Sequence, residues 1–263
     1  MMRWSGRAVL LGTMLGSGCL FGRGAPKPAP PAETVESTSR RTDSLMVVGE
    51  AHFRSGDWSK TIEVLNRALL LLDYSDPRRA QGYFMLAEAK LANGLQLEAV
   101  REFRRVADEG VVDSLAPAAL VRAGDAYAAL WRRPELDPSY GESAMATYQE
   151  VSQRFPGTGA AVRAQQRVLG LHEKFAEKEL RSARFYLKFK ATESAILTLR
   201  SLIATYPRTR SVPPALVSLV EAYRKLGYVE DLRETCGYID RFFPAVVPDV
   251  AYACPARAVT DTL

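Results

Sequence analysis

Gly16-Ser17-Gly18-Cys19 places a thiol directly after three small residues, inside a stretch from Ala8 to Gly22 that carries no charge. Arg3 and Arg7 precede that stretch, which gives it the charge pattern of an export leader. A helix that spans a bilayer needs about 20 apolar residues, and this run is shorter and rich in glycine. The arrangement predicts cleavage before Cys19 and transfer of a diacylglyceryl group to its sulfur. Each buried CH₂ of an acyl chain then contributes roughly 0.8 kcal/mol, and several chains together make a durable anchor. Gly16 stands where such sites usually carry leucine, with Leu15 one place earlier. A plain leader that happens to contain a cysteine is the other reading. Leu20, not aspartate, follows Cys19. By analogy with lipoprotein sorting in Gram-negative bacteria, that points to the outer membrane.

The other reactive side chains are few. The chain has 3 cysteines and 2 histidines, with no CxxC pair and no HExxH, so no metal site is expected. Cys236 and Cys254 fit a disulfide in an oxidising compartment, which would hold the tail to the last repeat by about 3 kcal/mol. Cys236 equally fits a helix-packing position as a buried thiol. His52 falls at a packing position, and His172 lies among charges, where solvation is expected. No phosphate-binding loop and no GxSxG elbow occur. The carboxylates are spread along helices as ordinary ion pairs, as in Glu98 with Arg101. Catalysis needs convergent groups, so neither an enzyme nor a cofactor is expected. Net charge is +5, and removing Arg3 and Arg7 leaves +3. That is too mild for nucleic acid.

The elements that position these residues are helical. With 263 residues and 47% hydrophobic content the chain can fill a sizeable core or an elongated array. Residues 1–18 read as leader, and 19–43 as the modified cysteine with a proline-rich tether. From Ser44 onward apolar positions recur at helical spacing, and five helix–turn–helix units repeat. Gly49, Ala87, Gly124, Ala183 and Val220 mark where the two helices of each unit touch. Thr61, Ala99, Ala144, Ala195 and Leu232 mark the second helix, followed four places on by Leu65, Phe103, Tyr148, Leu199 and Cys236. Gly56, Gly94 and Gly227 supply left-handed turn positions. Phe155-Pro156, Tyr206-Pro207 and Phe243-Pro244 close three units, since proline cannot extend a helix. The first anchors are 37 or 38 residues apart, but Gly124 and Ala183 are 59 apart. An insertion at 131–140 and a lengthened helix over about 160–187 fill that gap. The expected fold is all-α, a right-handed α-solenoid of five tetratricopeptide repeats divided 3+2. Its boundaries are 44–159 and 160–244, with a tail at 245–263.

A repeat array presents the first helices of its units on a concave surface. That geometry puts Met46, Glu50, Phe53, Arg54, Phe84, Glu88, Leu91, Val121 and Asp125 in an N-terminal groove. Alternating apolar and acidic groups there suit an extended peptide, although Phe53 and Phe84 equally fit packing between units. Between Arg163 and Lys190 eight Lys or Arg face three Glu. With Arg200, Arg224 and Lys225 they form a basic face. It could dock an acidic partner, stay solvated, or meet anionic head groups.

The second half resembles the BamD family, the tetratricopeptide lipoproteins of the outer-membrane β-barrel assembly machinery. The carrying residues are Ala176, Glu179, Leu180, Ala183-Arg184-Phe185-Tyr186-Leu187, Ala195, Tyr206-Pro207, Thr209, Ala215, Val220-Glu221-Ala222-Tyr223 and Leu226-Gly227. The resemblance implies a scaffold lipoprotein on the periplasmic face of the outer membrane. Its partners would be the insertase's POTRA domains, other assembly lipoproteins and unfolded barrel proteins. Docking would run through Arg184, Lys188, Arg200, Glu221, Arg224 and Lys225. The chain departs from the family at Lys190-Ala191-Thr192, where a glycine and an aromatic are usual. It departs again at Leu197-Thr198, in place of Asn-Arg. These departures keep a second reading open: a paralogue in cell-wall coordination or in polysaccharide or secretin export.

Overall fold

The computed structural model describes residues 35–109 and 115–254. The chain folds as an all-α solenoid of helical pairs. α1 (Val35–Ser55) pairs with α2 (Trp58–Leu69), α3 (Arg78–Ala92) with α4 (Gln96–Glu109), and α5 (Ala116–Leu130) with α6 (Ser139–Arg154). After the insertion, α7 (Gly159–Lys188) pairs with α8 (Thr192–Thr205) and α9 (Val212–Leu226) with α10 (Val229–Phe242). A 3-10 turn (Pro244–Val246) and the short α11 (Val247–Val250) follow. Leader residues 1–18, Cys19 and the first part of the tether lie outside the described residues, as do 255–263 of the tail.

α1 begins at Val35, inside the stretch whose composition reads as tether, rather than at Ser44. Polar side chains stabilise that extra length: Arg40 reaches Glu36 at 2.8 Å, and the buried Thr42 hydroxyl donates to the Thr38 carbonyl. Asp43 then receives Arg78 from the next unit at 2.5 Å.

Each pair closes as the repeat pattern requires. Gly49, Ala87, Gly124, Ala183 and Val220 are all buried. A Cβ on Gly49 would come within 2.6 Å of Leu65, and one on Gly124 would overlap the Tyr148 ring. Phe103, Tyr148 and Leu199 are buried on the second helices. Phe155, Tyr206 and Phe243 end their helices alike, with φ of −130°, −125° and −134°, and each donates its N–H four residues back. In the fourth unit Lys190 occupies the left-handed turn position at φ 61°, where Gly56, Gly94 and Gly227 stand in theirs.

Two hydrophobic cores divide the array along α7. One ends with Leu171 and Phe175, the other begins with Ala176 and Leu180, and Tyr206 packs against both. Trp131, Phe175 and Tyr206 form an aromatic ladder across the division, with centroid spacings of 4.5 and 6.2 Å. His172 lies 5.4 Å from the Tyr206 ring, so it helps make the joint instead of standing solvated among charges.

Candidate functional surfaces

The N-terminal cleft lies between α3, α5 and α7 and has a volume of about 390 Å³. Phe84, Val121 and Asp125 line it together with Arg122, Arg163 and Arg167. Phe84 is held edge-on to Phe103 at 5.5 Å, and Val121 is buried. The other expected groove residues are spent on neighbours outside that cleft. Met46 packs near Gly82, Leu91 packs on the core, and Phe53 stands edge-on to Trp58 at 5.8 Å. Glu50 accepts from Arg54 at 2.7 Å.

The expected acidic character of the groove is corrected by its pairing. Glu88 takes two bonds from Arg122 at 2.5 Å each. Asp125 faces Arg122 at 3.0 Å and Arg167 at 3.1 Å and accepts from the Tyr148 hydroxyl at 2.7 Å. Burial first, then the Asp125 charge, raises the Tyr148 phenol well above its ordinary range, so it stays a donor. The carboxylates are neutralised, and the cleft is apolar with a cationic edge. Arg122 was not legible as a groove residue. Its partner Glu88 lies 34 residues away, a distance set by how α5 docks on α3.

The basic count along α7 also divides. Arg163 and Arg167 face the cleft. Lys174, Lys178 and Arg181 clamp the insertion: Lys174 donates to the Trp131 carbonyl, Lys178 to that of Leu136 at 3.2 Å, and Arg181 pairs with Glu135. That leaves Arg184, Lys188 and Lys190, all exposed. Among the described residues none of the three has a carboxylate within salt-bridge distance. Beside them Phe185 and Phe189 are 58% and 63% exposed and touch each other at 4.5 Å, an apolar patch in a cationic rim. Glu221 and Lys225 are exposed on α9, and Arg224 covers the Tyr252 ring at 5.2 Å. Glu98 reaches Lys90 at 3.3 Å across the pair, not a neighbour on its own helix.

Cys236 and Cys254 are joined by a disulfide, with Cα atoms 5.7 Å apart. Among the described residues no group of three His, Cys, Asp or Glu is placed to hold a metal. No described helix is long and apolar enough to cross a membrane.

The family model described as "YfiO: Outer membrane lipoprotein" matches residues 41–236, from within α1 to within α10. The chain belongs to this family. Its similar relatives carry the name outer membrane protein assembly factor BamD. The protein of Vibrio cholerae is 34% identical over 103 residues, 39% of this chain and 43% of that one. The protein of Pasteurella multocida is 26% identical over 210 residues, 76% of this chain and 81% of that one. With the Vibrio protein, the match spans less than half of the relative's length. Among solved structures, a thermophilic tetratricopeptide protein of Thermus thermophilus is 16% identical, covering 81% of this chain and 98% of that one at a TM-score of 0.34. The family assignment takes nothing from that last likeness.

Proposed function

We propose that this chain is a non-catalytic scaffold lipoprotein of outer-membrane β-barrel assembly. Its Cys19 lipid would hold it on the periplasmic face. Its C-terminal pairs would dock the insertase's POTRA domains, alongside other assembly lipoproteins. Its N-terminal cleft would receive unfolded barrel segments. The carrying observation is the patch at the end of α7. Among the described residues Arg184, Lys188 and Lys190 have no acid of their own, and they frame exposed Phe185 and Phe189. A surface of that kind gains most from an acidic partner with an apolar centre. The N-terminal cleft adds apolar Phe84 and Val121 beside Arg163, which suits an extended chain.

The test is recovery of the tagged, lipid-anchored protein from detergent-solubilised envelopes, followed by mass spectrometry. A POTRA-containing barrel protein should come with it, and the R184E/K188E variant should lose that protein. Export or cell-wall proteins in its place would sink the assembly reading and leave the paralogue standing. Two observations keep the paralogue in view: Lys190 in a turn position suited to glycine, and Leu197 at 70% exposure where the family carries a polar residue.

A further inference from the structure

Among the described residues only the last helix pair is closed by a covalent bond. Its second helix is thinly held without that bond. α4 of the second unit buries six residues and α8 of the fourth buries five, but α10 buries Ile239 alone. Between the second and third units, α4 and α6 are zipped by charge: Arg104 meets Glu150 at 3.0 Å, and Arg154 meets Asp108 at 2.9 Å. After α10 the place of a following unit is taken by the strap, residues 244–254. Val246 and Val250 of the strap are buried in the same core as Ile239 and Val220. Tyr252 lies under the Arg224 guanidinium of α9 at 5.2 Å. Cys254, whose N–H donates to the Val250 carbonyl at 3.0 Å, then closes on Cys236 of α10.

Two features set this bond apart from a buried cross-link. Both cysteines are half-buried, so a thiolate in solution can reach the sulfurs. Exposed disulfides are the readily reduced ones, and buried structural ones resist. What the bond holds is also separable. α11 packs on α9, α10 and the 3-10 turn, and the first core takes no residue beyond Tyr206. An end segment with few buried groups can open by itself while the rest of the fold stays closed.

We propose that Cys236–Cys254 is a reversible redox latch on the fifth unit. A dithiol of the thioredoxin class attacks the Cys254 sulfur, which gives a mixed disulfide and releases Cys236 as a thiolate that takes a proton. The second thiol of the same reductant then displaces Cys254, which is protonated in turn. The protein gains two electrons and two protons, and the reductant leaves as its own disulfide. With the bond open, residues 244–254 come off α9, α10 keeps Ile239 as its anchor, and Arg224 loses its ring. A disulfide of the same class runs the exchange backwards, and the loop to be closed is short, with 18 residues between the cysteines. The latch thereby sets whether Arg224 is held or loose on the docking face, a consequence that rests on the docking reading above.

The test uses the full, lipid-anchored protein in detergent, equilibrated with dithiothreitol and its oxidised form at a series of ratios. Maleimide mass-tagging counts free thiols, and hydrogen exchange reads local order. The bond should open without denaturant. In the reduced chain α10 and residues 244–254 should exchange about tenfold faster, with α3–α6 unchanged, and reoxidation should restore the slow exchange. The C236S/C254S variant should exchange like the reduced chain at every ratio and ignore dithiothreitol. Thiols trapped in acid before cell lysis should show both forms, and the reduced share should fall when the envelope's thioredoxin-class reductant is deleted. Recovery of the barrel protein should fall about tenfold for the reduced chain and for C236S/C254S. A bond that opens only when α3–α6 unfold overturns the latch. So does a reduced chain that exchanges like the oxidised one, or a chain wholly oxidised in cells with and without the reductant, which would leave a static brace. Equal recovery of the barrel protein from both forms overturns the effect on docking. If the oxidised parent recovers none, the docking reading fails, and the exchange and trapping results still decide the latch.

Discussion

The three-unit and two-unit halves use the same helix pair to different ends. In the N-terminal half, charges are spent internally. Lys90 is buried against Glu102 at 2.9 Å, Arg122 bridges Glu88 and Asp125, and the α4–α6 zipper joins neighbouring units. In the C-terminal half the corresponding groups stay open. Arg200 meets Asp231 only at 3.8 Å, Arg184, Lys188 and Lys190 at and just past the end of α7 have no carboxylate within salt-bridge distance among the described residues, and α10 buries only Ile239 completely. A covalent strap, Cys236–Cys254, stands where the other pairs have a following helix to lean on. Charges left unspent inside a fold are available outside it.

The largest expected effect is in the N-terminal core. Phe103 is fully buried, so Phe103→Ala should cost about 3–5 kcal/mol in thermal or denaturant unfolding. A cost below about 1 kcal/mol would show that this half is not the better packed one. Next comes the strap. Its cysteines are 18 residues apart, so replacing both with alanine should remove about 3 kcal/mol in the loop-entropy model. Hydrogen exchange should place that loss in α10 and α11 and leave α1–α6 unchanged. A smaller change of opposite sign is expected at Lys190→Gly. The left-handed backbone there penalises a Cβ, so glycine should stabilise the chain by about 1 kcal/mol. An unchanged melting temperature would contradict it.

The smallest effect is a pH dependence. Asp57 is held below its ordinary range by hydrogen bonds from Lys60, and Asp76 by those from Arg78. Glu135 and Asp137 are lowered too, Glu135 chiefly by its own backbone N–H and Asp137 by Ser139. Carboxylates depressed by folding stabilise the fold above their unfolded values, and that contribution is lost as pH falls through the folded ones. All four lie in the first three units or the insertion. Acid below about pH 4 should therefore raise exchange in that half first, and equal loosening of α8–α10 would break the contrast.

The sequence showed the architecture well because it is local. Small-to-large pairs such as Gly124 and Tyr148 recur at fixed spacing, and aromatic–proline closures repeat the same backbone. Pairing across units was not legible, because it depends on how one helix is set against the next. The partners of Glu88 and Arg181 lie 34 and 46 residues away. For the same reason the pairing of Glu88 and Asp125 with arginines was hidden, as was the division of the eight cations between Arg163 and Lys190, three of which stay without a carboxylate among the described residues. Lys190 was marked only by the resemblance, as standing where a glycine is usual. Nothing in its type announces a left-handed backbone.

The 30-residue α7 has a consequence for how the chain acquires its fold. At about 1.5 Å per residue it runs about 45 Å. Its first half completes the N-terminal core, yet that core also takes Tyr206, which lies beyond α8. In a chain that folds from its N-terminus, the first three units therefore cannot close their last layer until the fourth has arrived. The two halves differ in how they use their charges, but they are not separate folding units, and a chain truncated after α7 would leave Phe175 and Trp131 without their third ring.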